Sequence, residues 1–156
     1  MKRIISCIFL FLMVACALLG CTNKVQSISL GEKITVGEFS FQIDAYHFTP
    51  FSSQVYDIFV ECTFHNDSKK NVTPREKGPS ISLNYDNGYE IHALEDTFTT
   101  AYYEKGFHTA GMVLYPGESM KYVMTARIPK AQCEDLDSSM VLSITFQGND
   151  YKLVIR

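Results

Sequence analysis

The sequence predicts an all-β protein, a sandwich of two antiparallel sheets with about seven to eight strands. Three observations indicate this class. Apolar and polar residues alternate in most segments after Leu30, turn residues separate these segments at short intervals, and helical periodicity of useful length is absent. The chain has 156 residues, of which 46% are hydrophobic, so it is long enough for one domain with a substantial core.

The first twenty residues predict a secretory signal rather than part of this domain. Met1-Lys2-Arg3 is a short positive start, and an apolar run extends from Ile4 to Leu19. That run is shorter than the roughly 20 residues that a transmembrane helix needs. An uncleaved signal-anchor is the alternative interpretation.

The apolar run ends in Leu18-Leu19-Gly20-Cys21, which resembles the bacterial lipobox. The resemblance implies that a diacylglyceryl group is joined to the Cys21 thiol and that cleavage makes Cys21 the mature N-terminus. Two acyl chains anchor a protein stably, whereas one gives only marginal binding. We therefore expect a lipoprotein held by membrane lipid through Cys21 at the extracytoplasmic face of the cell membrane.

Three parts of the chain follow from this interpretation: a signal peptide (1–20), a lipidated N-terminus with a short tether (21–29) and the sandwich domain (30–156). The whole chain carries a formal net charge of −3. Loss of Lys2 and Arg3 leaves 12 basic and 17 acidic residues, a net charge of −5. An acidic mature chain argues against nucleic acid as a partner and against an additional polybasic contact with the membrane.

The first half of the domain contains four predicted strands. Phe39 to Ala45 and Tyr56 to Phe64 place apolar residues at almost every second position, which is typical of half-buried strands. Ile81 to Tyr85 and Tyr89 to Ile91 flank Asp86-Asn87-Gly88. Asn-Gly between alternating runs predicts a hairpin with a type I′ turn.

The second half contains three more predicted strands. Tyr115-Pro116-Gly117-Glu118 has proline and glycine at the positions that a type II turn prefers. The strands after this turn are Met120–Ile128, Met140–Phe146 and Tyr151–Ile155. The segment from Glu95 to Gly111 does not alternate, and we expect a short helix in it around Thr100 to Lys105.

Several short segments occur together in a characteristic order. They are Gly31–Gly37, Phe39-Ser40-Phe41, "YDIFVECTFHNDSKKNV", Asp86–Tyr89, Leu114–Ser119 and Ile128-Pro129. This set resembles the immunoglobulin-like domains of unknown function that are common in Gram-positive lipoproteins. The resemblance implies an antiparallel immunoglobulin-like β-sandwich, similar to that of secreted antigens with this fold, and it implies no catalytic residues.

Only two cysteines remain for the folded domain. Cys7 and Cys16 lie in the signal peptide and Cys21 is the lipidation site, which leaves Cys62 and Cys133. In an exported protein this pair could form a disulfide. Alternatively, Cys62 is a buried small hydrophobic residue, because it lies on the alternating stretch that ends at Phe64.

The sequence contains no pattern that identifies an enzyme or a metal site. Neither Gly-x-Ser-x-Gly nor His-Glu-x-x-His occurs, and the four histidines are scattered. Glu134, Asp135 and Asp137 cluster but lack the spacing of an EF-hand. We therefore predict no catalytic residues, no metal and no cofactor.

The best candidate for a binding patch is an aromatic cluster in the segment that does not alternate. It comprises Phe98, Tyr102, Tyr103, Phe107 and His108. Loops carry function on rigid scaffolds, and tyrosine provides contact area at little entropic cost. The alternative is that these rings fold back and plug one end of the sandwich.

These observations favour a non-enzymatic module that binds a protein or an envelope component near the membrane. The alternative is a structural or stress-related envelope protein without a ligand site, which self-association with a buried aromatic segment would indicate. A small hydrolase would require a deep polar pocket with converging carboxylates or histidines.

Overall fold

The computed structural model describes residues 25–85, 90–97, 100–131 and 140–155. The strands, in chain order, are β1 (Gln26–Ser27), β2 (Ile34–Val36), β3 (Phe39–Ser52), β4 (Val55–Asn66), β5 (Ser80–Tyr85), β6 (Glu90–Ala93), β7 (Glu95–Thr97), β8 (Ser119–Pro129), β9 (Met140–Phe146) and β10 (Asn149–Val154). The helices with fully described bounds are the short α1 (Pro74–Lys77), between β4 and β5, and α2 (Thr100–Glu104), between β7 and β8.

The strands form two five-stranded sheets, which confirms the predicted all-β sandwich. Sheet I has the order β1-β10-β9-β5-β6, and sheet II has the order β2-β3-β4-β8-β7. The described residues contain ten strands rather than seven or eight, because β1, β2 and β7 have only two or three residues each. Strands of that length are too short to show alternation in a sequence.

Sheet II is built on two long pairings. β3 and β4 form a hairpin with Phe41 opposite Phe64, and a bulge between Ile43 and Ala45 interrupts the register. β8 lies on the other side of β4, with Met120 opposite Phe64. The even-numbered residues of β4 from Ile58 to Phe64 are buried, as the sequence alternation predicts.

Sheet I contains a β9–β10 hairpin and the antiparallel pairs β5–β9 and β5–β6. The predicted turn between β5 and β6, at residues 86–88, lies outside the described residues. β1 pairs with β10 in parallel, with Gln26 opposite Tyr151. This strand lies inside the predicted tether (21–29), so the folded part of the chain begins earlier than Leu30.

Aromatic rings join the two sheets in the core. Phe146 of β9 makes an edge contact with Phe41, at 4.7 Å between ring centroids, and another with Phe64 at 6.5 Å. The Tyr46 hydroxyl donates a hydrogen bond of 2.9 Å to the Ile155 carbonyl. The two sheets are therefore held together by ring packing around Phe146 and by the hydrogen bond between Tyr46 and Ile155.

The sandwich has two ends, which we call the tether end and the distal end. The tether end contains Val25, the Gln147-Gly148 turn and the segments 66–79 and 106–118. β1 runs parallel to β10, and β10 starts at the Gln147-Gly148 turn, so Val25 and this turn lie at the same end. Gln147 Nε2 donates to the Lys77 carbonyl, which places the segment 66–79 at this end as well. The distal end contains the β3–β4 turn around Ser53.

The predicted type II turn at Tyr115–Glu118 lies at the tether end. Gly117 has a φ of 80°, and the Glu118 amide donates to the Tyr115 carbonyl at 3.2 Å. A positive φ at the third position of the turn favours glycine because glycine has no Cβ. The sequence prediction is confirmed at this turn.

Candidate binding groove

The outer face of sheet II, which is turned away from the core, carries the aromatic segment. Phe59 of β4 and Val123 of β8 point to this face, and α2 packs over them. Tyr102, Phe107 and Val123 are buried together, with Phe59 partly buried against them. The Tyr102 ring lies 5.7 Å from Phe59 and makes an edge contact with Phe107 at 5.4 Å.

A hydrogen bond also holds Tyr102. Its hydroxyl and His47 Nε2 share a bond of 3.1 Å, and the His47 ring stacks on Phe59 at 5.2 Å between centroids. Burial, with a smaller effect of the nearby Glu61 carboxylate, raises the pKa of Tyr102 to about 12. The phenol is therefore neutral throughout the physiological range.

The predicted aromatic patch is therefore not one exposed surface. Tyr102 and Phe107 are buried, Tyr103 is 60% exposed and His108 is half-buried. Phe98 lies outside the described residues. Neighbouring residues on a helix point about 100° apart, so Tyr102 can face the sheet while Tyr103 faces solvent.

The rings fold back, as the alternative interpretation expected, but they cover the outer face of sheet II rather than an end of the sandwich. The His108 amide donates to the Lys121 carbonyl at 2.8 Å, which fastens the segment after α2 beside β8. For the members of the patch that the structure describes, the prediction is therefore corrected: Tyr102 and Phe107 belong to a buried cluster, and only the Tyr103 ring is mainly exposed.

A groove of about 470 Å³ lies on the same face, next to the cluster. Its lining residues are Asp57, Phe59, His92, Ala93, Glu95, Thr97, Thr125, Ala126 and Arg127. It forms where the chain passes from β6 in sheet I to β7 in sheet II through Leu94, whose amide donates to the Ile81 carbonyl at 2.9 Å. Sequence reasoning did not find it, because its lining comes from four strands.

One edge of β8 borders this groove. β7 pairs with β8 only from Val123 to Thr125, whereas β8 continues to Pro129. No strand within the described ranges pairs with Arg127 on that side. The groove therefore lies along a stretch of the β8 edge that no described strand pairs with, with His92 and Ala93 of β6 on its other side.

The backbone of Arg127 points to this edge. The Lys130 amide donates to the Gln54 carbonyl at 2.8 Å, and the Asn66 amide donates to the Glu118 carbonyl at 3.0 Å. These bonds show that even-numbered residues at both ends of β8 bond toward β4. Because backbone direction alternates along an antiparallel strand, the N–H and C=O of Arg127 point away from β4.

Charges line the groove at its distal end. Arg127 Nε donates to Asp57 Oδ1 at 2.8 Å, and this bond raises the pKa of the guanidinium. The guanidinium also lies 3.6 Å from the centroid of the exposed Phe51 ring. Glu95 of β7 and His92 of β6 add an acidic and an imidazole group on the other side. The polar side chains of the groove can form hydrogen bonds and ion pairs with a ligand, and the Phe59 ring adds an apolar surface to the same lining.

Of the cysteines named in the predictions, the structure describes Cys62 and not Cys21 or Cys133. Cys62 is completely buried in the core, where its thiol donates to the Val60 carbonyl at 3.8 Å. Burial, with a smaller effect of the Asp44 carboxylate, raises the thiol pKa far above its ordinary value. Cys133 and the lipidation site Cys21 lie outside the described residues, so the disulfide and the lipid stay predictions.

Among the described residues, no group of three or more His, Cys, Asp or Glu side chains is arranged to hold a metal ion. Within those ranges no helix has the length and apolar character to cross a membrane. The acidic cluster at residues 134–137 lies outside the described residues.

Two solved structures share this fold. An uncharacterized β-sandwich protein from Clostridium difficile matches with a TM-score of 0.66 and 18% sequence identity over 85% of this chain and 95% of that chain. A conserved hypothetical protein from Bacillus anthracis matches with a TM-score of 0.60 and 15% identity over 82% of this chain and 94% of that chain. At these identities the likeness shows the β-sandwich fold alone. The chain matches no protein-family model and no curated protein in sequence.

Proposed function

We propose that the protein is a lipid-anchored, extracytoplasmic, non-enzymatic module that binds an extended segment of a partner protein along the unpaired edge of β8 beside Arg127. The lipobox-like sequence ending in Cys21 supports the anchor. The observation that carries the binding function is the groove of about 470 Å³ beside the backbone of Arg127. An extended segment can add to a sheet edge by main-chain hydrogen bonds while adjacent pockets accept its side chains.

The composition of the groove favours a polypeptide over an apolar small molecule. Its lining mixes the Phe59 ring with the Asp57–Arg127 ion pair, Glu95 and two threonines. Side chains of both polarities can therefore be accepted next to the main-chain contacts. A partner segment would extend the pairing along β8 beyond Glu95, the first residue of β7.

The position of the groove also fits an anchored binder. Asp57 lies close to the β3–β4 turn at the distal end, whereas Val25 lies at the tether end. A protein anchored through Cys21 would hold its tether end toward the membrane. The groove would then be accessible to a partner from the side that faces away from the membrane.

The test compares two substitutions at one position. Arg127→Ala removes the side chain but keeps the backbone N–H, whereas Arg127→Pro removes both. Proline is tolerated at a sheet edge, where its missing N–H is not part of the ladder to β4. If the partner accepts the main-chain hydrogen bond, Arg127→Pro weakens binding about tenfold beyond Arg127→Ala, as expected for one lost hydrogen bond.

Binding is measured by photo-crosslinking in intact membranes. A photoreactive amino acid replaces the exposed Ala93 in the groove, and a matched control carries it at the exposed Thr35 of β2. We expect a discrete partner adduct only from position 93, reduced by Arg127→Pro in a protein whose melting temperature is retained. Equal adducts from both positions, or equal effects of the two Arg127 variants, would contradict the proposal. Adducts only with second copies of the chain would favour the structural role instead.

A further inference from the structure

The tether end carries an exposed apolar surface formed by Met112, Val113 and Tyr115. These side chains are 46%, 51% and 57% exposed. Leu114 between them is buried, and its backbone bridges to Val72. Single exposed apolar residues are common, whereas three exposed apolar side chains within four consecutive positions are a local concentration of the kind that marks a contact surface.

The backbone holds this surface in place. The Leu114 amide donates to the Val72 carbonyl at 2.8 Å, and the Gly117 amide donates to the Asn66 carbonyl at 2.7 Å. Val113 and Tyr115 flank the buried Leu114, so in this extended segment they share the side opposite to it. The surface is therefore built by the fold and does not require a rearrangement to become exposed.

The surface lies at the end of the domain where the described chain begins. β1 runs away from the tether end, so Val25, which precedes this strand, lies at the same end as Tyr115. Val25 lies only four positions after Cys21, which allows a reach of at most about 14 Å. A lipid attached to Cys21 would therefore hold the Met112–Tyr115 surface within a short distance of the bilayer.

We propose that Met112, Val113 and Tyr115 insert into the interface of the bilayer that anchors the protein, as a second point of attachment. This inference rests on the proposed lipid anchor at Cys21. Tyrosine is favoured at membrane interfaces because its ring is apolar and its hydroxyl is polar. The anchor raises the effective concentration of the bilayer, so even a small apolar contact is occupied.

The charges at this end agree with an apolar rather than an electrostatic contact. Exposed basic and acidic side chains balance in the described loops around the surface and in the adjoining turn after β2: Lys69, Lys70, Arg75 and Lys77 against Glu38, Asp67, Glu76 and Glu118. Equal numbers of opposite charges give no strong attraction to an anionic lipid surface. The contact therefore depends on the three apolar side chains.

The test uses the natural lack of tryptophan in the chain. Tyr115→Trp in the lipidated protein gives a single fluorescent reporter on the proposed surface. Phe51→Trp is the matched control, because Phe51 is an aromatic residue with 59% exposure at the distal end. Each protein is reconstituted into phosphatidylethanolamine–phosphatidylglycerol vesicles, with and without bromine on the upper acyl chain.

Brominated lipid should quench the emission of Tyr115→Trp at least about twofold, since interfacial side chains reach roughly 5–10 Å into the headgroup and acyl boundary. The emission of Phe51→Trp should not change. Adding Met112→Ser and Val113→Ser to Tyr115→Trp should restore most of the emission while the protein still floats with the vesicles.

Three results would overturn this inference. Equal quenching of the two reporters, with both proteins floating with vesicles, contradicts the surface contact and leaves the proposed anchor intact. If neither acrylamide nor brominated lipid quenches the emission of the Tyr115→Trp protein, a second copy of the chain covers the surface. Failure of both proteins to float with the vesicles overturns the anchor and this inference together.

Discussion

At the scale of single residues, Asn66 determines how the loops of the tether end fit together. Its side chain is buried and donates to the carbonyls of Lys70 and Leu114, at 2.8 and 3.2 Å. Its Oδ1 accepts from both the amide and the hydroxyl of Ser68, at 3.0 and 2.6 Å. One amide therefore satisfies polar groups from two segments that are far apart in the chain.

Replacement of Asn66 by alanine should therefore lower the free energy of unfolding by roughly 2–4 kcal/mol, because several buried groups lose their partner at once. Asn71→Ala is the matched control, since Asn71 is exposed in the same segment. Denaturant unfolding of both variants tests this expectation. A loss for Asn66→Ala no larger than that for Asn71→Ala would show that water replaces these bonds.

At the scale of secondary-structure elements, the five-residue helix α2 is too short to be stable by itself. Its stability comes from the contact of Tyr102 with Phe59 and Phe107. The helix therefore depends on the face of sheet II that it covers.

Two adjacent tyrosines allow a direct test of this dependence. Tyr102→Ala should destabilise the domain by roughly 2–4 kcal/mol, because it empties a buried aromatic site. Tyr103→Ala should change stability by less than about 0.5 kcal/mol, because the Tyr103 side chain is mainly exposed. Thermal unfolding measures both effects, and similar losses from the two variants would contradict the packing of α2.

The elements differ in how much of them the sequence could predict. Alternation predicted the central strands, such as β4 and β9, because their apolar faces are buried over five or more residues. β7 was not predicted because its three residues are defined by pairing with β8 and not by their own pattern. The short helix at Thr100–Glu104 was predicted correctly.

The groove could not be predicted from sequence for a similar reason. Asp57 and Arg127 are 70 residues apart and meet only because the register of β4 on β8 places them opposite each other. Register is a property of the packed sheet, and a single sequence does not reveal it across such a distance. The aromatic residues at 102–107 gave a strong signal, but composition alone did not show which of them face the sheet.

At the scale of the whole molecule, the buried tyrosines Tyr102, Tyr122 and Tyr151 make the free energy of unfolding decrease at alkaline pH. Burial raises the pKa of Tyr102 to about 12, and it also raises the pKa values of Tyr122 and Tyr151. A phenol with a raised pKa in the folded state favours folding fully below its ordinary pKa of about 10. That contribution is lost as the pH rises through the folded value.

We therefore expect the melting temperature to fall between about pH 10, the ordinary pKa of tyrosine, and about pH 12, the folded pKa of Tyr102. Tyr102→Phe should reduce this fall without abolishing it, because Tyr122 and Tyr151 still titrate. Melting curves recorded across this pH range at constant ionic strength test this expectation. An identical decrease in the two proteins would exclude Tyr102 as a contributor.

The parallel pairing of β1 with β10 has a mechanical consequence. β1 has two residues, and the following Ile28 amide donates to the Lys152 carbonyl at 2.9 Å. A pulling force on the N-terminus, resisted by a partner at the distal end, acts along the strand and loads these bonds in shear. Bonds loaded in shear break together, so β1 should detach in a single step. The antiparallel hairpins of both sheets would remain paired. The residues released from β1 would lengthen the stretch of chain between the folded domain and the point at which the N-terminus is pulled.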